Sequence, residues 1–149
     1  MTMTFNTRTI SPEDTRPLRH LVLWPHLPDV ASCVIDIDRR EDAIHIGAFA
    51  GDRLVGICSL FATETEKLPE RAQYRLRAMA THPDVRGAGA GRAVVDAALE
   101  QVRRAGAELL WCDARKVALG FYDRLGFERI DEWYHVPDVG PHQLMFYRI

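Results

Sequence analysis

One continuous run, Gln73 to Cys112, restricts the fold of this 149-residue chain more than any other. It opens with a strand-like segment of mixed polarity, Gln73 to Thr81, and passes His82-Pro83-Asp84 into the turn Val85-Arg86-Gly87-Ala88-Gly89-Ala90-Gly91-Arg92. An amphipathic helix follows, its apolar positions Val94, Val95, Ala98, Leu99 and Val102 recurring with helical spacing. Gly106 stops that helix, and Leu109 to Cys112 is a short apolar strand. Two strands joined through a helix of this length pair in parallel, by a right-handed crossover. The chain must therefore carry at least one parallel pair in a sheet covered by helices.

The flanking segments add mostly antiparallel partners. Phe5 to Ile10 alternates weakly, and Ser11-Pro12-Glu13-Asp14 supplies cap and first-turn chemistry for a helix with Leu18, Leu21 and Val22 on its apolar face. Pro17 fits best in a first turn, which draws the expected start toward Asp14. Ala43 to Ala50 and Leu54 to Phe61 form a hairpin around Gly51-Asp52-Arg53. Thr63 to Arg71 is a charged loop containing Pro69. Lys116 to Leu125 is a second short helix stopped by Gly126, and Phe127 to Trp133 and Leu144 to Ile149 are final strands. The expected class is α/β, a mixed α+β sheet with flanking helices, in a single domain over residues 1–149.

Charge and cysteine usage narrow the partners. Lys plus Arg number 19 against 21 Asp plus Glu, so no basic excess exists to neutralise a nucleic-acid backbone. Cys33, Cys58 and Cys112 are widely spaced and odd in number, without the paired spacing of a zinc or redox site, so no metal is expected. No signal-like stretch opens the chain and no run of 18 apolar residues occurs. Together these predict a cytoplasmic protein with no membrane partner.

The glycine turn is the place where chemistry concentrates. Small residues let backbone approach a ligand, and a helix start presents free N–H groups with partial positive charge, which suits an anion and above all a pyrophosphate. A P-loop would need Gly-Lys-Ser/Thr, whereas Gly91 is followed by Arg92 and Ala93. The dinucleotide fingerprint needs G-x-G-x-x-G, and from Gly87 and Gly89 the third glycine falls one place early, at Gly91. The competing reading is a glycine-loosened turn before a core helix.

Arg86, Gly89 and Gly91 form R-x-x-G-x-G, which resembles the pyrophosphate signature of the GCN5-related N-acetyltransferase (GNAT) superfamily. Ala118-Leu119-Gly120-Phe121-Tyr122-Asp123-Arg124-Leu125-Gly126-Phe127 is similar to that family's A-x-x-F-Y-x-x-x-G-F element, and Tyr74 to Thr81 resembles its central strand. The resemblance is specific from Gln73 to Phe127. It implies a GNAT-like, mostly antiparallel sheet and acetyl-CoA as cosubstrate. The pyrophosphate would sit on the amides of Arg86, Gly87, Ala88, Gly89, Ala90, Gly91 and Arg92. The pantetheine arm would run along Met79, Ala80 and Thr81, beside Phe121.

The resemblance also casts Tyr122 as general acid toward the leaving thiolate. Its ordinary pKa of ~10 is comparable with the basicity of a thiolate. Asp113 stands where many members carry an Asn on the pantetheine arm, and it can accept but not donate that bond. The general base stays open among His45, Glu64, Glu66, Asp113 and His142. Arg92, Lys116 and Arg124 are equally readable as contacts to the 3′-phosphate of CoA or as solvated charges. Arg75 and Arg77, on one strand face, suit either an acidic acceptor or local ion pairs.

The implied reaction is direct acetyl transfer to a primary amine in a ternary complex, the acceptor being a small molecule or amino acid rather than a protein. The alternative is a non-catalytic acyl-CoA-binding sensor. Homodimers are common among similar proteins. The acceptor segments, residues 24–40, 63–73 and 134–143, carry no diagnostic motif.

Overall fold

A computed structural model describes residues 3–149. Three helices, α1 (Pro12–Leu18), α2 (Ala90–Arg104) and α3 (Leu119–Arg124), accompany an eight-stranded sheet of the described residues. Its strands are β1 (Asn6–Ile10), β2 (Ile44–Ala50), β3 (Arg53–Ala62), β4 (Gln73–Thr81), β5 (Leu109–Arg115), β6 (Glu128–Arg129), β7 (Tyr134–Val136) and β8 (Gly140–Arg148). They are ordered β1-β2-β3-β4-β5-β8-β6, with β7 also on β8. Every pair is antiparallel except β4–β5, the parallel pair that the helix α2 spans.

Side-chain alternation divides the sheet into two faces. On one, Ile46, Cys58, Leu60, Leu76, Leu110, Cys112 and Met145 pack against α2 and α3. The α2 positions Val94, Val95, Ala98, Leu99 and Val102 are all buried there, each Val or Leu contributing about 1.5–3 kcal/mol. The other face carries Leu18, Ile57 and Ala80 in one cluster and Leu109, Trp111, Leu144 and Phe146 in another.

Three expectations are corrected. The helix α1 begins at Pro12 and keeps Pro17 inside, because the start is set by Ser11, whose Oγ accepts from the Asp14 amide at 3.1 Å while Asp14 accepts from the Ser11 amide at 3.3 Å. Pro17 has no N–H to donate, and two residues later the helix widens into a single π turn, Arg19–Leu23. That turn leaves Leu21 half exposed and buries Arg19 in its place.

The segment Phe127 to Trp133 is not one strand. Glu128 and Arg129 pair with β8, the Ile130 amide adds one bond to the Leu144 carbonyl at 2.9 Å, and the Glu132 amide then closes a turn on the Ile130 carbonyl at 2.8 Å. The final strand instead starts at Gly140, since β5 pairs with it as far as Arg115↔His142 and β7 folds back on it.

Candidate active site

The parallel pair separates soon after it forms. β4 and β5 are joined at Gln73↔Leu109, Tyr74↔Leu110 and Arg75↔Trp111, after which β4 runs on to Thr81 and β5 to Arg115 without pairing to each other. Each strand follows its outer neighbour instead. β5 stays with β8, and β4 stays with β3 through a bulge in which Ser59↔Arg77 is followed by Ile57↔Ala80. The extra β4 residue bends the strand away, with Ala78 at φ 52°. A side chain in that region costs ~1–2 kcal/mol, so the surrounding pairing must impose it. The result is a gap with unpaired backbone groups on the β4 side, where Met79, Ala80 and Thr81 lie.

Beyond the end of β4 the glycine turn leads into α2. Gly87 and Gly89 take φ 77° and 99°, conformations that a side chain would strain, and both are exposed. α2 starts at Ala90 with no side-chain cap. Among the described residues the Ala88 amide donates to the Val85 carbonyl at 3.1 Å, but those of Gly87, Gly89, Ala90, Gly91 and Arg92 donate to no backbone carbonyl. An uncapped helix start with several free donors is a site built for an anion. Ala90 is buried against Val55 and Val85, so only its backbone is offered.

Gly91 serves a different need. A Cβ there would stand 2.9 and 3.0 Å from the Phe121 ring and 3.5 Å from Met79 Cε. The missing side chain lets α3 close on α2 beside the gap. Arg86 and Arg92 are exposed, and Arg92 Nη2 donates to the Arg124 carbonyl at 3.5 Å. Two of the three candidate phosphate contacts are thereby neighbours, while exposed Lys116 lies in the turn before α3.

Tyr122 is buried on the α2–α3 face between Phe121 and Phe127, with ring centroids 5.0 and 5.2 Å away. Its hydroxyl lies close to the Cys112 thiol. Burial first, and the nearby Cys112 and Cys58 thiols after it, push the phenol well above its ordinary range, so it stays protonated. Burial likewise pushes the Cys112 thiol up to about 12, so Cys112 is no thiolate nucleophile. All three cysteines are free and buried.

On the opposite face, the mouth of the gap is closed by a polar group. Arg75 Nη2 donates to Asp113 Oδ2 at 2.5 Å and lies over the Trp111 ring at 5.0 Å. The Tyr134 hydroxyl donates to the other Asp113 oxygen. Burial and the adjacent Asp113 raise the Tyr134 pKa, which keeps that proton in place. The Tyr134 ring stacks on His142 at 5.9 Å, with Lys67 Nζ 4.5 Å from its centroid. Tyr134 is the residue that sequence reasoning missed. No motif marks it, and only the register of β7 on β8 sets it opposite His142.

The candidate bases fall into separate places. Asp113 is at the gap, and His142 stands behind Tyr134 with Nδ1 2.8 Å from the Gly140 carbonyl. Glu64 and Glu66 are exposed on the loop after β3. His45 is buried elsewhere, its Nδ1 2.7 Å from Ser59 Oγ.

A mixed sheet parted at its parallel pair, with an uncapped glycine turn beside the gap, is the architecture that the sequence resemblance implied. Residues 8–127 match the model of the Acetyltransferase (GNAT) family, and the chain belongs to that family. It is 34% identical over 139 residues to the uncharacterized N-acetyltransferase YitI of Bacillus subtilis strain 168, covering 93% of each chain. Among solved structures it is similar to an aminoglycoside 6′-N-acetyltransferase complexed with coenzyme A, with TM-score 0.76 and 14% identity over 96% of both chains. It is also similar to FeeM, an N-acyl amino acid synthase from uncultured soil microbes, with TM-score 0.76, 15% identity, and 99% and 92% of the two chains covered. The chain is an N-acetyltransferase. Among the described residues no helix is long and apolar enough to cross a membrane, and no group of three His, Cys, Asp or Glu side chains could hold a metal ion.

Proposed function

We propose that this chain acts as a single cytoplasmic domain that transfers the acetyl group of acetyl-CoA directly to a primary amine of a small molecule or amino acid. The observation that carries the reading is the uncapped start of α2 beside the β4–β5 gap. The free amides of Gly87, Gly89, Ala90, Gly91 and Arg92 suit the pyrophosphate, while those of Arg86 and Ala88 are held by Pro83 and Val85, and the unpaired edge of Met79 to Thr81 suits an extended amide-bearing arm that adds like a strand. Phe121 walls that arm where Gly91 admits it. The amine approaches from the face of Arg75, Asp113 and Tyr134, opposite α2.

The acceptor nitrogen must be neutral to attack, and the thiolate that departs needs a donor. Tyr122 is that donor in our reading. Its raised pKa keeps the hydroxyl protonated. Such a phenol stabilises the developing thiolate by a hydrogen bond at every working pH. Asp113 faces the acceptor side, where it can receive the proton that the amine loses, directly or through water. None of the cysteines supplies the thiolate that an acyl-enzyme requires.

Calorimetric titration with acetyl-CoA, followed by thiol release on an amine panel, tests the proposal. Binding with release is expected. Binding without release for any amine supports a sensor, and no binding removes both. Tyr122→Phe should retain acetyl-CoA binding and lower kcat by ~10²–10⁴-fold. Unchanged turnover would remove Tyr122 from the role.

A further inference from the structure

Strand alternation sets Arg75 and Arg77 on one face of β4, the face away from α2. Their situations differ. Arg75 is committed to Asp113, whose second oxygen is held by Tyr134. Arg77 stands two residues further along, where β4 has already left β5, and Asp36 is its ion-pair partner, at 3.0 Å. Arg77 is half-buried at 31% exposure, whereas Asp36 is 83% exposed.

Asp36 belongs to the short turn Asp36–Arg39, which is anchored by its other carboxylate. Asp38 is buried and held by Arg19 through two bonds of 2.8 Å. The turn therefore keeps its place whether or not Asp36 stays on Arg77. An exposed pair of this kind contributes little, so another carboxylate can take the place of Asp36 at small cost. Asp36 itself demonstrates that a carboxylate reaches the Arg77 guanidinium from the solvent side. Across the gap, Asp113 presents a half-buried anion to a positive group.

We infer that the acceptor is an amino acid, its carboxylate received by Arg77 in exchange for Asp36 and its amino group drawn to the Asp113 side of the gap. The inference rests on the acetyl-transfer reading above and adds the acceptor class to it. A planar guanidinium suits a carboxylate better than any other anion of that size. In the reaction the amine nitrogen forms the new C–N bond, the C–S bond breaks, the amine proton passes to the Asp113 side, and the thiolate, hydrogen-bonded by Tyr122, takes a proton from solvent.

The test compares each proteinogenic amino acid with its carboxamide and its decarboxylated amine, using acetyl-CoA and the intact chain. The best amino acid should exceed its two analogues in kcat/KM by roughly 10- to 100-fold, as expected for one charged hydrogen-bonding pair. Arg77→Gln should abolish that ratio through KM, Arg77→Lys should retain part of it, and Asp36→Asn should lower KM for the amino acid. Retained acetyl-CoA binding by calorimetry shows that each variant is folded. Analogues as good as the acid, or a ratio unmoved by Arg77→Gln, overturn the inference while acetyl transfer stands. Release of thiol with no amine of any kind overturns the acetyl-transfer reading, and this inference with it.

Discussion

Two arginine–aspartate pairs lie on the same face of the sheet and have opposite characters. Arg19 and Asp38 are sealed, with side chains 0% and 5% exposed, whereas Arg75 and Asp113 are each 28% exposed. In the sealed pair both Arg19 Nη atoms are fully used, and Nε alone is buried without a partner. Arg19 bonds both Asp38 oxygens at 2.8 Å, the Cys33 carbonyl at 3.1 Å and Ser59 Oγ at 3.0 Å, and Asp38 also accepts from the Ile35 amide. Burial alone would raise the Asp38 carboxyl, but these bonds hold it below its ordinary range. The sealed pair ties the π turn and the loop after it to β3. The open pair ties little chain, and its charges stay within reach of a ligand. Position in the sheet, rather than residue type, separates a sealed ion pair from an open one.

The largest test of this contrast is Asp38→Ala. It leaves the Arg19 guanidinium buried without a counter-charge, and urea unfolding should show a loss of about 3–5 kcal/mol. Replacing both partners with apolar residues, Arg19→Met with Asp38→Leu, should recover most of it, because the desolvation cost disappears with the charges. A loss of the same size for Asp113→Ala would erase the distinction between the two sites.

A second test uses pH. Burial holds the His45 pKa below 6.5, opposed in part by Asp38. The unfolded chain therefore binds a proton that the folded one refuses, so stability falls as pH drops below 6.5, by at most ~1.4 kcal/mol per unit for one group. Asp38 acts lower down. Its contribution is present above its unfolded value near 3.8 and is lost as pH falls through the depressed folded value. Unfolding measured between pH 7.5 and 5 should be less pH-dependent in His45→Gln. An unaltered slope would place the titration elsewhere.

The smallest stability effect is expected at the open site. Tyr134→Phe removes one donor to a carboxylate that Arg75 still holds, and it should cost no more than about 1 kcal/mol, within the range of exposed pairs. Its signature should be kinetic instead, a lowered kcat/KM, since Asp113 loses a bond that orients it at the gap. A kcat/KM identical with wild type would make Tyr134 a packing residue.

How much of this was legible varies with the range of the interactions involved. The helix α2, the glycine turn and the Phe121-Tyr122 segment are local patterns, and each lies where it was expected. The β4 bulge carries no such sign, because Ala78 is an alanine in a conformation that glycine would announce. Arg19 reads as a surface cation in a charged helix, and only the π turn directs it inward. Asp113 was visible as a residue, but its link to Tyr134 depends on β7, a three-residue strand whose pairing is set by β8.

Sequence alone determined the parallel crossover, the glycine turn and the aromatic pair within α3, because hydrophobic period and glycine spacing act over a few residues. Tertiary structure decided where β4 and β5 part, which arginine is sealed and which stays open, and which tyrosine meets Asp113. Those outcomes depend on register and burial between segments tens of residues apart, and the pairing of one strand with its outer neighbour determines them.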